Sequence, residues 1–242
     1  MGHEADENEV LRVELLQIFM QGGAGKSVGE TLADDCLVVG LRHLRRDLAA
    51  FAIEIEGTDV HFLVSHPTPP TFDGTEDRNG LRNHDEIAFW SQYIDATDAA
   101  WLVDDAGQPG GLQAEHFVIA GDLNADPHDG DSTNNPMALL LNHPSVQATP
   151  VPTSQGGTEQ SALQGAANID HIGDPAHDTA DFSDGQVGNL RLDYTLPSNT
   201  LPISDSGVYW PTSDQAGFPW VGTFPFPASD HRLVWVDVQV PQ

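Results

Sequence analysis

Four short clusters of acidic, amide and imidazole side chains stand at the edges of predicted strands. They are His66, the pair Asp122 and Asn124, Asp193, and the pair Asp230 and His231. Carboxylates and imidazoles can activate water, transfer protons or bind a divalent cation when a fold brings them to one place. The sequence therefore predicts a polar reaction site or a metal site, provided that the strands converge.

Each cluster also has a plain structural explanation. His66 shares a face with the apolar side chains of a period-2 strand over residues 60–64, so it could be a hydrogen-bonded core histidine. Asp122 and Asn124 could form an Asx turn after a buried strand. Asp193 could lie on a solvated strand face, and the last pair could belong to an ordinary loop. Taken singly, the clusters leave these alternatives open.

The elements that must carry the clusters are short strands and a few helices. Alternation in residues 51–55 and 60–66 around Glu56-Gly57 predicts a β-hairpin, and apolar residues at helical spacing predict a helix over 83–94. The other predicted elements are strands at 117–120, 190–196, 208–210 and 233–240, helices at 11–20 and 136–141, a run of undecided type at 36–44, and a long polar loop at 147–188. This pattern is typical of an α+β domain built on packed sheets.

The charge balance narrows the range of partners. The 242 residues include 9 basic and 37 acidic side chains, a formal net charge of −28. Proteins that bind nucleic acids draw much of their affinity from basic side chains on phosphates, so we expect nucleic acid as a partner only at high salt. We interpret the acidic excess as halophilic adaptation, because screening by salt suppresses self-repulsion.

Few features of the sequence indicate a compartment. Cys36 is the single cysteine, which excludes a disulfide within the chain and a thiolate metal site. No stretch approaches the roughly 18 apolar residues of a membrane span. Residues 1–10 lack the basic start and apolar core of a secretory signal. We expect a soluble protein without a signal peptide, and the sequence leaves open whether a longer parent protein is exported.

The clusters acquire meaning from their order along the chain. The strings are His66-Pro67, Gly121-Asp122-Leu123-Asn124, Asp193-Tyr194 and Ser229-Asp230-His231. In this order they resemble the endonuclease/exonuclease/phosphatase superfamily of deoxyribonuclease-like, metal-dependent phosphoesterases. The resemblance covers residues 51–242. It implies a four-layer α/β sandwich, with two sheets back to back and helices outside, and a hydrolase of phosphate esters that uses activated water.

The resemblance also implies catalytic roles for four residues. Asp122 would orient or deprotonate the attacking water, and Asn124 would help to hold that water and the phosphate. His231 would contact the scissile phosphoryl oxygen, and Asp193 would fix the tautomer of the His231 ring.

Two further roles follow from the same resemblance. His66 would contact the phosphate from another side, and Asp230 would help to bind a divalent cation. Mg2+ is the expected ion, with Mn2+ and Ca2+ as alternatives, because a hard cation prefers carboxylate oxygens.

The N-terminal segment departs from the family pattern. Residues 1–50 contain neither the Asn-bearing strand nor the strand with a metal-binding Glu that the resemblance implies. The sandwich is therefore expected to be incomplete at its N-terminus, with a missing N-terminal fragment as one explanation. The alternative to a metal-dependent phosphodiesterase, nuclease or phosphatase is a non-catalytic remnant that acts at most as a binding module.

Three other patterns have weaker interpretations. The run at 22–27 lacks the first glycine and the preceding strand of a phosphate-binding loop, and we reject that function for it. Asp126, Asp129 and Asp131 are expected to form a solvated acidic turn. The cluster of His171, Asp174, His177, Asp178 and Asp181, on the predicted long loop, could form a secondary metal or substrate site.

The acidic excess leads to a prediction about salt. Because repulsion among unpaired carboxylates destabilises the compact state, molar salt should raise the melting temperature relative to dilute buffer. Thermal melting across a series of NaCl concentrations measures this. A melting temperature that is flat or falls with added salt would contradict halophilic adaptation.

Overall fold

The computed structural model describes residues 10–15, 37–39, 48–95, 97–104 and 107–241. The strands are β1 (Val10–Leu15), β2 (Leu37–Val39), β3 (Leu48–Ile55), β4 (Thr58–Ser65), β5 (Phe117–Asp122), β6 (Ala180–Asp181), β7 (Asn189–Leu190), β8 (Asp193–Pro197), β9 (Ile203–Tyr209) and β10 (Leu233–Gln239). The α-helices are α1 (Arg78–Tyr93), α2 (Met137–Leu141), α3 (Gln155–Gln164) and α4 (Phe218–Val221), and 3-10 turns span Asp98–Trp101, Ala166–Ile169 and Pro175–His177. None of these helices is long and apolar enough to cross a membrane.

Two sheets organise the described part of the chain. A five-stranded sheet has the order β2-β3-β4-β5-β8, and a three-stranded sheet has the order β1-β10-β9. Strands β4 and β5 are parallel, whereas the other pairs in both sheets are antiparallel. The short strands β6 and β7 form a separate two-stranded ladder. Because β4 and β5 run in the same direction, His66 and Asp122 come to the same edge of the sheet.

The two sheets pack face to face through small branched side chains. Val60 and Val118 of the five-stranded sheet lie in one buried cluster with Val238 and Val240, at the end of the three-stranded sheet. The opposite face of the five-stranded sheet packs on α1. Strand β4 therefore alternates between two buried faces, which explains why its apolar residues are nearly continuous.

Helix α1 fixes the outer face of the five-stranded sheet. Ile87 and Trp90 are fully buried in a cluster with Leu63 and Ile119. The Trp90 indole donates a hydrogen bond of 2.8 Å to Ser65 Oγ, so its one polar atom is satisfied. Each such side chain contributes about 1.5–3 kcal/mol on burial, and together they hold the ends of β4 and β5 in register.

The structure confirms the predicted α+β class. The predicted hairpin is β3 and β4, which turn at Glu56 and Gly57, both with positive φ. The predicted helices at 83–94 and 136–141 correspond to α1 and α2. The predicted strand over 190–196 is interrupted, because residues 191–192 lie between β7 and β8.

Two predictions about secondary structure were wrong. Residues 11–15 of the predicted helix belong to β1, because their alternating apolar pattern also fits a strand and β10 supplies a partner. The predicted long loop at 147–188 contains α3 and β6. Its helix begins with the Ser154 side chain, which accepts a hydrogen bond from Gly157 N. Residues 16–20 and 22–27 lie outside the described residues.

Gly121 lies where β5 approaches β4 closely beside the predicted site. A Cβ atom there would overlap the Ser65 carbonyl oxygen of β4. Gly185 is a matched position with no neighbouring atom within 4 Å of the added Cβ. Only a residue without a side chain therefore lets β5 lie this close to β4, which brings Asp122 near His66.

We predict that Gly121→Ala destabilises the protein by about 1–3 kcal/mol, because the added methyl group must push backbone away from backbone. Chemical denaturation in molar salt measures the free energy of unfolding. Gly185→Ala should leave it nearly unchanged. Equal effects of the two substitutions would show that the close approach of β4 and β5 does not limit stability.

Candidate active site

The site begins with a pair of carboxylates on neighbouring strands. Asp122 ends β5 and lies directly opposite Asp193, which begins β8. Both side chains are almost completely buried. Their placement side by side follows from the antiparallel register of β5 and β8, in strands that are separated by seventy residues of sequence.

His231 connects to this pair from the other sheet. It lies just before β10 and pairs with Ala180 through an isolated antiparallel bridge. Its Nδ1 atom is 2.8 Å from Asp193 Oδ2, and its Nε2 atom is 3.9 Å from Asp122 Oδ2. The ring also meets Phe182 edge-to-face, with 5.7 Å between ring centroids. These contacts fix the ring plane and direct Nε2 toward Asp122.

Thr179 completes the surroundings of Asp193. Its hydroxyl donates to Asp193 Oδ2 at 2.8 Å and accepts from the backbone N–H groups of Leu192 and Asp193, at 3.0 and 2.9 Å. The Thr179 hydroxyl has one proton, which it donates to Asp193 Oδ2. The His231 Nδ1–H group is the second donor to the same carboxylate oxygen. Sequence reasoning missed Thr179, because a threonine in a polar loop carries no signal of its own.

The charge state of His231 follows from these neighbours. Burial lowers the pKa of His231, but the hydrogen bond and charge of Asp193, with further contributions from Asp122 and Asp230, outweigh it, so the net shift is upward. The imidazolium form is therefore favoured more than in solution. A ring in this state can donate a proton or a charge-assisted hydrogen bond from Nε2.

Asp122 forms the Asx turn that the sequence analysis gave as the alternative to a functional site. Its Oδ1 atom accepts from Asn124 N at 2.8 Å, and Asn124 has a positive φ of 51°, a conformation that asparagine tolerates. The Asn124 side chain donates to the Pro67 carbonyl at 3.1 Å. The Asx turn and the proposed site are therefore the same structure, and the turn aims the other Asp122 oxygen at the histidines.

His66 lies at the exposed edge of this cluster. It follows β4, its side chain is 50% exposed, and its Nε2 atom is 3.4 Å from Asp122 Oδ2. Burial raises the pKa of Asp122, but the hydrogen bond from His66 and the charge of His231 outweigh it, so this pKa is lowered. Asp122 is therefore ionised at neutral pH.

The ligand geometry tests whether a divalent cation fits. Among the described residues, one group of acids and histidines brings three ligand atoms within 4.8 Å of one another, and it consists of Asp122, Asp193 and His231. Asp193 Oδ2 already receives two hydrogen bonds, so that oxygen orients the ring. The remaining hard donor of this group is the carboxylate of Asp122, and the predicted ligand Asp230 lies outside the group, although its charge acts on His231. Carboxylate oxygens suit a hard divalent cation.

Buried polar contacts behind the cluster hold its segments together. Arg232 is 3% exposed and forms an ion pair of 3.1 Å with Asp181. Its guanidinium lies over the Trp210 ring, 4.3 Å from the centroid. Asn83 of α1 donates to the carbonyls of Thr68 and Leu123, each at 3.0 Å. These contacts connect the loops after β4 and β5 and fix the position of the chain just before β10.

The expected solvated turn at Asp126, Asp129 and Asp131 is wrong for its first residue. Asp126 is 6% exposed. Its carboxylate accepts backbone N–H bonds from His128, Asp129 and Arg191. The contact with Arg191 joins the segment after β5 to the entrance of β8, and no local sequence pattern reveals a partner that is sixty-five residues away.

A protein-family model matches most of the chain. The model of the Endonuclease/Exonuclease/phosphatase family matches residues 41–231. This range includes all six residues of the predicted site. No curated protein matches the chain.

Several solved structures are similar to the chain at low sequence identity. An endonuclease/exonuclease/phosphatase protein from Beutenbergia cavernae has 19% identity and a TM-score of 0.49, with 86% of this chain and 45% of that chain covered. Sphingomyelinase C from Streptomyces griseocarneus has 14% identity and a TM-score of 0.43, with 78% and 56% covered. The 3′ phosphatase NExo from Neisseria has 14% identity and a TM-score of 0.45, with 86% and 71% covered. The chain spans about half the length of the first two.

The pairing of His231 with Asp193 predicts a pH effect. The raised pKa of His231 means that its stabilisation is fully present below the ordinary value of 6.5 and is lost as pH rises through the raised value. In Asp193→Asn, a neutral amide replaces the carboxylate that opposes the pKa-lowering effect of burial, so the pKa of His231 should fall. NMR titration of the histidine rings in the presence of a chelator measures it. Asp205→Asn, at an exposed acid of β9, is the control, and an unchanged pKa in Asp193→Asn would contradict the pairing.

Proposed function

Since the chain belongs to the endonuclease/exonuclease/phosphatase family, we propose that its site hydrolyses phosphate esters with activated water and a divalent cation. The single observation that carries this proposal is the Asp193–His231 hydrogen bond of 2.8 Å, which aims His231 Nε2 toward Asp122. This arrangement supports the proposal, because the Asp122 carboxylate, which would activate water, lies beside the His231 imidazolium, which would stabilise negative charge on the phosphate.

Asp122 has the properties of the group that handles water. Its carboxylate is buried, and the histidines keep its pKa low, so it is an anion at neutral pH. With Oδ1 fixed by Asn124 N, Oδ2 is the atom that would orient or accept a proton from the attacking water. The Asn124 side chain, anchored on the Pro67 carbonyl, would help to hold that water and the phosphate.

His231 has the properties of the group that meets the phosphoryl oxygens. Phosphoryl transfer depends on in-line positioning and on neutralisation of charge more than on covalent assistance. An imidazolium held by Asp193 needs no reorientation as charge develops on the oxygen, which is the condition for preorganised electrostatic stabilisation. His66, exposed at the edge of the cluster, would contact the phosphate from the solvent side.

A divalent cation would complete the charge balance of the site. The neighbouring carboxylates cannot attract a phosphate by themselves, and a hard cation such as Mg2+, when bound, neutralises phosphoryl charge. Asp230 would be a ligand of this cation, and Mn2+ and Ca2+ are the alternatives to Mg2+. Asp193 would act on catalysis through the ring of His231 rather than on the cation.

The substrate class is proposed from charge. A net charge of −28 opposes the approach of long polyanions in dilute buffer. Salt screens that repulsion, and near physiological ionic strength it is largely screened between charges more than about 8–10 Å apart. We propose small phosphodiesters and phosphomonoesters as substrates at any salt concentration in which the protein is folded, and nucleic acid only at high salt.

We predict that His231→Ala lowers kcat about 10²–10³-fold, because one charge-assisted contact with the transition state is lost. The assay is hydrolysis of a small chromogenic phosphodiester, and in parallel a phosphomonoester, with Mg2+, Mn2+ or Ca2+ in molar salt. His116→Ala is a matched control, since this half-buried histidine precedes β5 at the end opposite Asp122. Melting curves of each variant separate loss of chemistry from loss of fold.

Asp193→Asn should also lower kcat, and the double variant should lose far less than the product of the single effects. Both residues act through one imidazole, so their contributions are not independent. Additive effects would contradict the proposed pairing. Turnover that survives a chelator would contradict the role of the cation. A folded wild-type chain without turnover for any substrate or ion would favour the non-catalytic alternative.

A further inference from the structure

A buried ion pair behind the candidate active site contacts the segment that carries Asp230 and His231. Asp181 belongs to the 171–181 cluster that the sequence singled out as a secondary site, but its carboxylate lies 3.1 Å from the Arg232 guanidinium. Both side chains are almost completely buried. Burial of two charges has a large desolvation cost, so a buried ion pair is weak evidence for a stabilising role. Its contacts indicate another role.

The pair supplies a hydrogen-bond donor to three consecutive carbonyl groups. Arg232 Nη1 donates to the Ser229 carbonyl at 2.9 Å and to the His231 carbonyl at 3.3 Å. The backbone N–H of Asp181 donates to the carbonyl between them, that of Asp230, at 2.8 Å. Each peptide carbonyl from residue 229 to residue 231 is therefore held by one member of the pair.

Three fixed carbonyls restrict the two functional residues that lie between them. A peptide group is planar, so the backbone turns only at the two soft dihedrals of each residue. Fixing the peptide plane on each side of Asp230 and of His231 therefore fixes the direction in which each side chain leaves the backbone. The next N–H group, that of Arg232, donates to the Thr179 carbonyl at 2.7 Å, which holds the same segment against the residue that binds Asp193.

The members of the pair are themselves held in place. The Arg232 guanidinium lies 4.3 Å from the centroid of the Trp210 ring and 5.3 Å from that of Phe226. Gln164 of α3 donates to Asp181 Oδ1 at 2.9 Å. Because a guanidinium is planar and has several N–H groups in fixed directions, it can bind the Asp181 carboxylate and the two carbonyls at the same time.

We propose that the Asp181–Arg232 pair is a positioning pair for the active site, which fixes the backbone from which the Asp230 carboxylate and the His231 ring project. The inference rests on the proposed function, because it gives these two side chains their catalytic significance. The pair contacts neither substrate nor cation. Its effect passes through the peptide groups of residues 229–231 to the Asp193–His231 hydrogen bond.

The test removes the ion pair without leaving a charge in the interior. Asp181→Asn/Arg232→Met removes the side-chain donors to the carbonyls of residues 229 and 231. Replacing both charges of a buried pair is often neutral for stability, so we expect melting curves in molar salt to show a folded protein. Its kcat for the chromogenic phosphodiester should fall at least about tenfold, as is typical when groups that orient a metal site are lost.

The matched control removes an ion pair of similar length from the surface. Glu76 and Arg78 form an exposed pair of 3.0 Å at the start of α1. Glu76→Gln/Arg78→Met should leave kcat unchanged. If the buried double variant is folded and has wild-type kcat, the pair does not position the site and the inference is wrong.

The Asp193–His231 hydrogen bond is measured separately, by proton NMR in the presence of a chelator and without substrate. The Nδ1–H proton of His231 should give a low-field signal in wild type, assigned by its absence from His231→Ala. In the buried double variant this signal should broaden or disappear, because the released backbone lets the ring turn from Asp193. The surface control should keep it.

This NMR measurement does not depend on turnover. A wild-type chain that shows the signal but hydrolyses no substrate would contradict the proposed function and leave the positioning of the ring open to the same comparison. A folded double variant with the wild-type signal would overturn the inference, even if its kcat falls, as would the absence of the signal from wild type. If the double variant does not fold, Arg232→Lys replaces it, since one ammonium group cannot reproduce the planar set of donors.

Discussion

The site depends on the hydrogen bonds that satisfy the buried carboxylate of Asp193. This carboxylate lies at the junction of three segments that are distant in sequence, and each supplies something to it. Its own strand, β8, places it opposite Asp122, the loop before β6 supplies the Thr179 hydroxyl, and the start of β10 supplies His231. A buried carboxylate has to be satisfied by donors, so folding brings the two sheets into one relative position at this point.

The scarcity of basic residues makes their placement informative. Of 9 basic side chains in the sequence, Arg191 and Arg232 are buried beside the site, each over an aromatic ring. An arginine inside the fold costs desolvation, and here each one joins segments that flank Asp193. Arg232 does so through Asp181, and Arg191 does so through its backbone N–H to Asp126. Two of the few cations of this acidic protein therefore support the interior near the site.

The acids around the site differ in the groups that surround their carboxylates. Asp122 and Asp193 face histidines, Asp126 faces backbone N–H groups, and Asp178 faces other acids. The first two arrangements stabilise a charge within the protein itself. The last does not, because a buried anion among other anions is costly. High net negative charge thus makes a divalent cation the natural counter-charge for the proposed active site.

The sequence by itself determined the hairpin and helix α1 and predicted the six residues of the candidate site, because period-2 and 3.6-residue patterns and the order of short motifs are local properties of the chain. It did not decide β1 or α3. The pattern at 11–15 fits either period until β10 offers a partner, and the glycines of α3 conceal a helix that depends on the Ser154 cap. Only the tertiary structure decided that Thr179 holds Asp193 and that Asp126 and Asp178 are buried. These roles depend on contacts between segments far apart in the chain, and a single threonine or aspartate has no sequence pattern that records which distant atoms surround it.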